Sequence, residues 1–316
     1  MRITSRLLLV APVLCLGLIT AGTARAEKFD GHARAISCMA MSADGKTLVT
    51  GSYDKTVRVW DVATGNALKT FSGHQGAVRA VALSADGKWV ASASLDKTVK
   101  LWDVAAGTES KTFKHRAWVF GVAISPDGKT VASGDFIKKI HLWDAATGNE
   151  TKSFGDHANG ISALAYSADG KWLATAALDG MAKIWNASTG ELVHTLTMHS
   201  KPLNALAMSP DGKLLVTTSN DGSARVWDVA TGSHLRVLSG HKAAVNGVAF
   251  SADGKLVATS SADLTVKIWN AATGRVVRDA YEVRTSITSL VFTGDGKSVL
   301  LGGKGNGVTL IPVEKD

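Results

Sequence analysis

Cysteine is almost missing from this chain. Cys15 lies in the apolar N-terminal stretch, and Cys38 is the only cysteine beyond it. A chain processed behind that stretch therefore forms no internal disulfide, and a c-type haem attachment motif is excluded as well. Proline is scarce too, with five in 316 residues. After the first 26 residues no apolar run is long enough to span a bilayer as a helix, so the mature form is expected not to cross a membrane. Phosphate-loop chemistry is also lacking. Gly302 to Gly307 is glycine-rich, but no helical pattern follows it and no Gly-Lys-Ser/Thr occurs, so it reads as a lax turn.

What is present begins with a leader. Arg2 and Arg6 precede the apolar Leu7 to Gly17, and Thr23-Ala24-Arg25-Ala26 supplies small residues ahead of a cleavage point. This is the three-part pattern of a secretory signal at 1–26, cut after Ala26. An uncleaved anchor is the weaker alternative, because the run is short and contains Pro12. A lipoprotein is weaker still, because Leu14 stands where a small residue should precede Cys15. Export without disulfides points to a bacterial periplasm, with secretion or anchoring as alternatives. Loss of the leader removes three Arg and no acid from a chain of net charge +8, so the remainder stays basic. Residues 27–316 suffice for one domain with a large core.

That domain is periodic. Asp-Gly-Lys begins at Asp44, Asp86, Asp127, Asp169, Asp211, Asp253 and Asp295. A histidine stands twelve residues before each of the first six, and a tryptophan 28 residues after each histidine. Coincident series at one period mark a structural repeat. The units are about 31–72, 73–113, 114–155, 156–197, 198–239, 240–280 and 281–313. In the second unit, Ala77 to Leu83 is apolar on nearly both faces, as an innermost strand must be. Asp86-Gly87 accepts the positive φ of a tight turn. Trp89 to Ser94 is a second strand, and Thr98 to Asp103 a third, with Lys100 read as outward and Trp102 as inward. Ser110 to Phe113 gives an outer strand. Four short antiparallel strands per unit describe a propeller blade. The predicted fold is all-β, a seven-bladed β-propeller of four-stranded antiparallel blades. The seventh unit offers only three strands, so residues 27–30 are expected to supply its fourth and close the ring from both chain ends.

Gly-His followed by Trp-Asp at this period resembles the WD40-repeat family, over essentially the whole mature chain. The resemblance implies a hydrogen-bonded tetrad of His, Ser/Thr, Asp and Trp in each blade. The complete sets are His32, Thr50, Asp54, Trp60; His74, Ser92, Asp96, Trp102; His157, Thr175, Asp179, Trp185; His199, Thr217, Asp221, Trp227; and His241, Thr259, Asp263, Trp269. Their repetition argues for structure, since one pocket needs only one nucleophile. The third unit departs, with Ile137 at the Asp position and Lys114 ahead of His115. In the seventh, Val283, Leu301, Gly305 and Ile311 fill all four positions, leaving apolar packing alone.

No catalytic, cofactor or metal set emerges. His141 stands at the position filled elsewhere by Arg58, Lys100, Lys183, Arg225 and Lys267, and reads as a solvated face residue. His194 and His234 belong to different blades. The basic residues are dispersed by the repeat and accompanied by Asp, so no nucleic-acid footprint is concentrated.

The resemblance further implies binding of proteins or peptides over one end of the central channel, through positions three and five after the His and one before the Asp. There the ring is lopsided. Tyr53, Arg79, Leu95, Trp118, Phe120, Phe136 and Leu178 occupy the first four blades, whereas Asn, Thr and Lys occupy the rest. Apolar side chains beside an Arg suit an interface. The bland alternative has them folding inward to plug the channel. The expected function is a non-catalytic protein- or peptide-binding scaffold, monomeric by itself. The alternative is an enzyme or small-ligand binder using the channel.

Overall fold

A computed structural model describes residues 29–313. They form seven antiparallel sheets and no helix. The first sheet is Ile36–Met41, Thr47–Ser52, Thr56–Asp61 and Ala67–Ser72, hydrogen-bonded in chain order. Five further sheets repeat it, and the seventh has three strands among the described residues. Each innermost strand packs between those of its two neighbours, and that of blade seven (Ile287–Phe292) meets both blade six and blade one. The ring is therefore closed, a seven-bladed propeller.

The repeated residues explain the blade. Asp44 Oδ1 accepts hydrogen bonds from Ser42 Oγ (2.6 Å) and the Lys46 amide (3.0 Å), while Gly45 takes a φ of 68°. A left-handed residue is cheap only for glycine, so Ser-Ala-Asp-Gly-Lys fixes this turn and with it the strand register. The second strands carry alternating small and β-branched residues that are buried on both faces, because adjacent blades cover them.

Lys100 does not point away from Trp102. Lys100 and Trp102 are two residues apart, so they share a face. The Lys100 ammonium lies 5.9 Å from the Trp102 ring centre, and Arg58 and Lys183 sit likewise over Trp60 and Trp185. Lys183 and Lys267 are buried and paired with Asp156 and Asp279. The cation series spans the tryptophans; it is not a solvated face.

Ring closure is visible in part. Residues 27–28 of the expected closing strand lie outside the described residues. Phe29 is buried edge-on to Trp60 at 6.0 Å, in a cluster that joins Leu300, Val308 and Leu310 of blade seven to Ile36 and Leu48 of blade one. Phe71 holds the corresponding place over Trp102, and Phe113 over Trp143. Thr288 Oγ1 donates to Ile36 O (2.8 Å), and the Met39 amide donates to Ser289 Oγ (3.0 Å), across the same seam. On the opposite end of the ring, Gly45 and Gly294 meet backbone to backbone. A Cβ on Gly294 would lie 2.6 Å from the Gly45 Cα.

A candidate interaction surface on blade three

Five blades carry a hydrogen-bonded set of His, Ser or Thr, Asp and Trp. In blade one, Trp60 Nε1 donates to Thr50 Oγ1 (2.8 Å), which bonds His32 Nε2 (2.7 Å), and His32 Nδ1 donates to Asp54 Oδ2 (2.8 Å). A carboxylate at Nδ1 fixes the tautomer, leaving Nε2 to accept from the threonine. Burial pulls His32, His199 and His241 below the ordinary 6.5, against the opposing pull of their aspartates. Burial acts upward on Asp54, but hydrogen bonds from Thr56 and His32 prevail and hold it at about 2. These groups are buried or half-buried, hydrogen-bonded and repeated around the ring, which is what a scaffold requires. In blade seven the same positions are apolar, with Leu301 and Ile311 buried.

The lopsided rim divides in two. Tyr53, Arg79, Phe120 and Leu178 turn inward and line a cavity of about 430 Å³ at the channel mouth, with Asn204 and Asn246 opposite. The Arg79 guanidinium lies 5.5 Å from each of the Tyr53 and Phe120 ring centres, and Arg79 donates to the Tyr53 hydroxyl. Trp118 and Phe136 instead face solvent, 49% and 41% exposed, beside Ile137 at 48%. Phe136 joins the two groups, its ring centre 5.7 Å from that of Trp118 and 5.9 Å from that of Phe120. Plug and surface patch are thus both present, as two ends of one arc. Leu95 is half-buried and does not line the cavity. Ile137 belongs to the patch, although the sequence marked it only as a lost Asp. Lys114, Arg116, Lys138 and Lys139 stand exposed around it.

Residues 35–201 match a family model described as IFT122 first beta-propeller, and residues 190–228 and 232–270 match that of the WD domain, G-beta repeat. The chain belongs to the WD40-repeat β-propeller family. WD repeat-containing protein 18 is 45% identical over 42 residues in Bos taurus and 43% over 42 in Homo sapiens, covering 13% of this chain and 10% of each relative. The Notchless protein homolog of Arabidopsis thaliana is 52% identical over 40 residues, 13% of this chain and 8% of its own. The chain thus spans about a tenth of these relatives' length, one blade's worth, and the likeness is that of the repeat. WD40 propellers generally mediate protein interactions and are generally not enzymes.

Within this WD40 ring, blade three also rebuilds its polar centre. His115 Nε2 and Trp143 Nε1 still converge on Ser133 Oγ, at 3.1 and 2.8 Å. The lost carboxylate is replaced from two residues upstream by Asp135, where blade two has Ser94. His141 is not a solvated face residue. Its side chain is 16% exposed, stacked on Trp143 and edge-on to His115 at 4.6 Å. Its Nε2 lies 3.2 Å from Asp135 Oδ2 and its Nδ1 lies 2.9 Å from Glu150 Oε1. Burial opposes protonation of His141, yet the two carboxylates outweigh it and raise its pKa. Asp135 is held well below the ordinary carboxylate range, burial being outweighed by the two imidazoles and the Lys139 amide. The signal in the sequence was Asp135 itself, an acid at a position that is Ser or Ala in the five blades with a complete tetrad.

Proposed function

We propose that this propeller is a non-catalytic platform that captures a protein or peptide over blade three. The observation that carries the reading is the exposed Trp118, Phe136 and Ile137 patch, continuous through Phe120 with the inward Arg79. Clustered aromatics beside an Arg are the chemistry of interface hot spots. The cations around the patch favour a partner segment carrying an apolar anchor flanked by carboxylates. The channel cavity itself has one charged lining side chain, Arg79, and no carboxylate pair or nucleophile beside a base. That supports binding over catalysis there, and makes a small anionic ligand at Arg79 the second reading. The leader at 1–26 supports export as part of the same proposal, with the bacterial periplasm as the place of work; N-terminal sequencing of the mature protein tests it.

The test is a screen of the full mature chain against peptides that pair one large apolar side chain with two or three acids. Substituting Trp118→Ala and Phe136→Ala together should weaken the best peptide at least a hundredfold, since two hot-spot truncations are each worth about 2 kcal/mol. The melting temperature should stay within a few degrees because both rings are exposed. Peptide binding undiminished in a folded double variant would refute the assignment. No captured peptide, together with binding of a small carboxylate or phosphate that is lost in Arg79→Ala, would favour the small-ligand reading.

A further inference from the structure

Three departures from the chain's own repeat fall in blade three and converge on one point. Measured against the five complete blades, Ile137 stands for the tetrad Asp, Asp135 for the upstream Ser or Ala, and His141 for the Arg or Lys of the third strand. Together they place ligand atoms of His115, Asp135 and His141 within 4.8 Å of one another. We propose that these three side chains form a binding site for a divalent transition-metal ion of the zinc class.

The geometry suits the ion. Nitrogen and oxygen ligands about 2.0–2.2 Å from a tetrahedral Zn²⁺ stand about 3.3–3.5 Å apart. Asp135 Oδ2 lies 3.6 Å from His115 Nδ1 and 3.2 Å from His141 Nε2, and the two imidazole nitrogens lie within 4.8 Å, so movements of up to about 1 Å bring the set to tetrahedral spacing. His115 Nδ1 is the independent pointer. The side chain is wholly buried, and in the five complete tetrads this nitrogen bonds an aspartate at 2.8–3.1 Å, whereas here it has no hydrogen-bond partner and aims at Asp135. A buried lone nitrogen beside a carboxylate is satisfied by a cation.

The outer contacts are those of a metal centre. A ligating histidine is usually oriented through its other ring nitrogen by a carboxylate or hydroxyl. His141 Nδ1 meets Glu150 Oε1, and His115 Nε2 meets Ser133 Oγ. Asp135 Oδ1 accepts the Lys139 amide at 3.0 Å, which aims its other oxygen into the site. His115 and Asp135 are closed from solvent while His141 is partly open, so water can enter from that side as a fourth ligand. Two imidazoles and one carboxylate favour Zn²⁺, Co²⁺ or Cu²⁺ over Mg²⁺ or Ca²⁺. Phe136 follows Asp135 directly, so the site adjoins the exposed aromatic patch.

The experiment is calorimetric titration of Zn²⁺ into chelator-treated full-length mature protein at neutral pH, with Co²⁺ absorption as a second readout. One site per chain of submicromolar affinity is expected, with a four-coordinate Co²⁺ spectrum and a melting temperature raised by Zn²⁺. Glu150→Gln should weaken binding about tenfold, in the range for an outer-shell partner. The triple variant Asp135→Ser, Ile137→Asp, His141→Lys rewrites the blade with residues its neighbours use, so it should fold, and it should bind Zn²⁺ at least thirtyfold more weakly. Wild-type affinity no better than that of the triple variant would overturn the proposal, leaving His141 simply hydrogen-bonded between Asp135 and Glu150.

Discussion

Replacing Thr217 by Val isolates the energetic worth of one tetrad. Thr217 is fully buried, and its Oγ1 accepts from Trp227 Nε1 (2.9 Å) while bonding His199 Nε2 (2.9 Å). Valine has nearly the same volume and the same β-branching, so no cavity opens and the strand propensity is kept. What changes is that an indole N–H and an imidazole lone pair lose their partner in a site closed to water. Each orphaned buried group costs about 1–3 kcal/mol, so the expected loss is about 2–6 kcal/mol. At about 2–4 °C per kcal/mol for a large domain, that is a fall in Tm of about 4–24 °C. Urea denaturation of wild type, Thr217→Val, Trp227→Phe and the double variant forms a cycle. Phenylalanine removes the indole donor, so the double variant should be less destabilised than the two losses summed, by about 1 kcal/mol or more. A loss under about 0.5 kcal/mol for Thr217→Val, the range of an ordinary surface change, would refute the tetrad as a stabilising network.

Two further expectations follow from the same geometry. His32, His199 and His241 titrate below 6.5 when folded, so the unfolded chain takes up their protons first and stability should decline as pH falls below 6.5. Asp54, Asp221 and Asp263, lowered from 3.8 to about 2, add a second loss between those values, whereas raised His141 contributes fully below 6.5 and loses its share as pH rises through its folded pKa. Melting curves should show this two-stage decline, and a Tm flat from pH 7 to pH 3 would contradict it. At the ring seam, Phe29→Ala should cost about 3–5 kcal/mol as a buried aromatic truncation. Gly294→Ala should also destabilise, because the new methyl meets Gly45 backbone. Gly87→Asn has open space around it and a left-handed φ that asparagine tolerates better than most side chains, so it should cost only about 1 kcal/mol; a loss for Gly294→Ala no larger than that would refute the seam argument.

The propeller was legible because its instructions are local and repeated. Asp-Gly sets a turn, alternation sets a strand, and the tetrad residues recur at one spacing. Blade three was legible as an exception but not in its consequence. Ile137 announced a missing carboxylate, yet whether Asp135 could stand in for it depended on how a strand end bends toward His115 and His141, which no spacing encodes. The placing of Lys100 opposite Trp102 failed on simple strand parity, and with it the reading of His141. The rim residues could not be sorted into inward and outward groups from the sequence, because Phe120 and Trp118 differ only in which neighbour their rings find. Phe120 approaches Arg79 from blade two, and the exposed Trp118 ring meets that of Phe136.

The seam between blades seven and one joins residues about 250 positions apart, through Thr288 with Ile36 and Ser289 with Met39. Every other interface forms between units adjacent in the chain, so this contact waits until nearly the whole protein has been made. Until then the molecule is an open arc with two uncovered sheet faces that fit one another. At low concentration those faces meet within one chain. At high concentration, or when the seam is weakened, they can meet between chains, because the arc's leading face on one copy is complementary to the trailing face on the next. Damage at Phe29 or Gly294 should therefore appear first as paired or chained copies that exchange a blade, and only afterwards as loss of secondary structure.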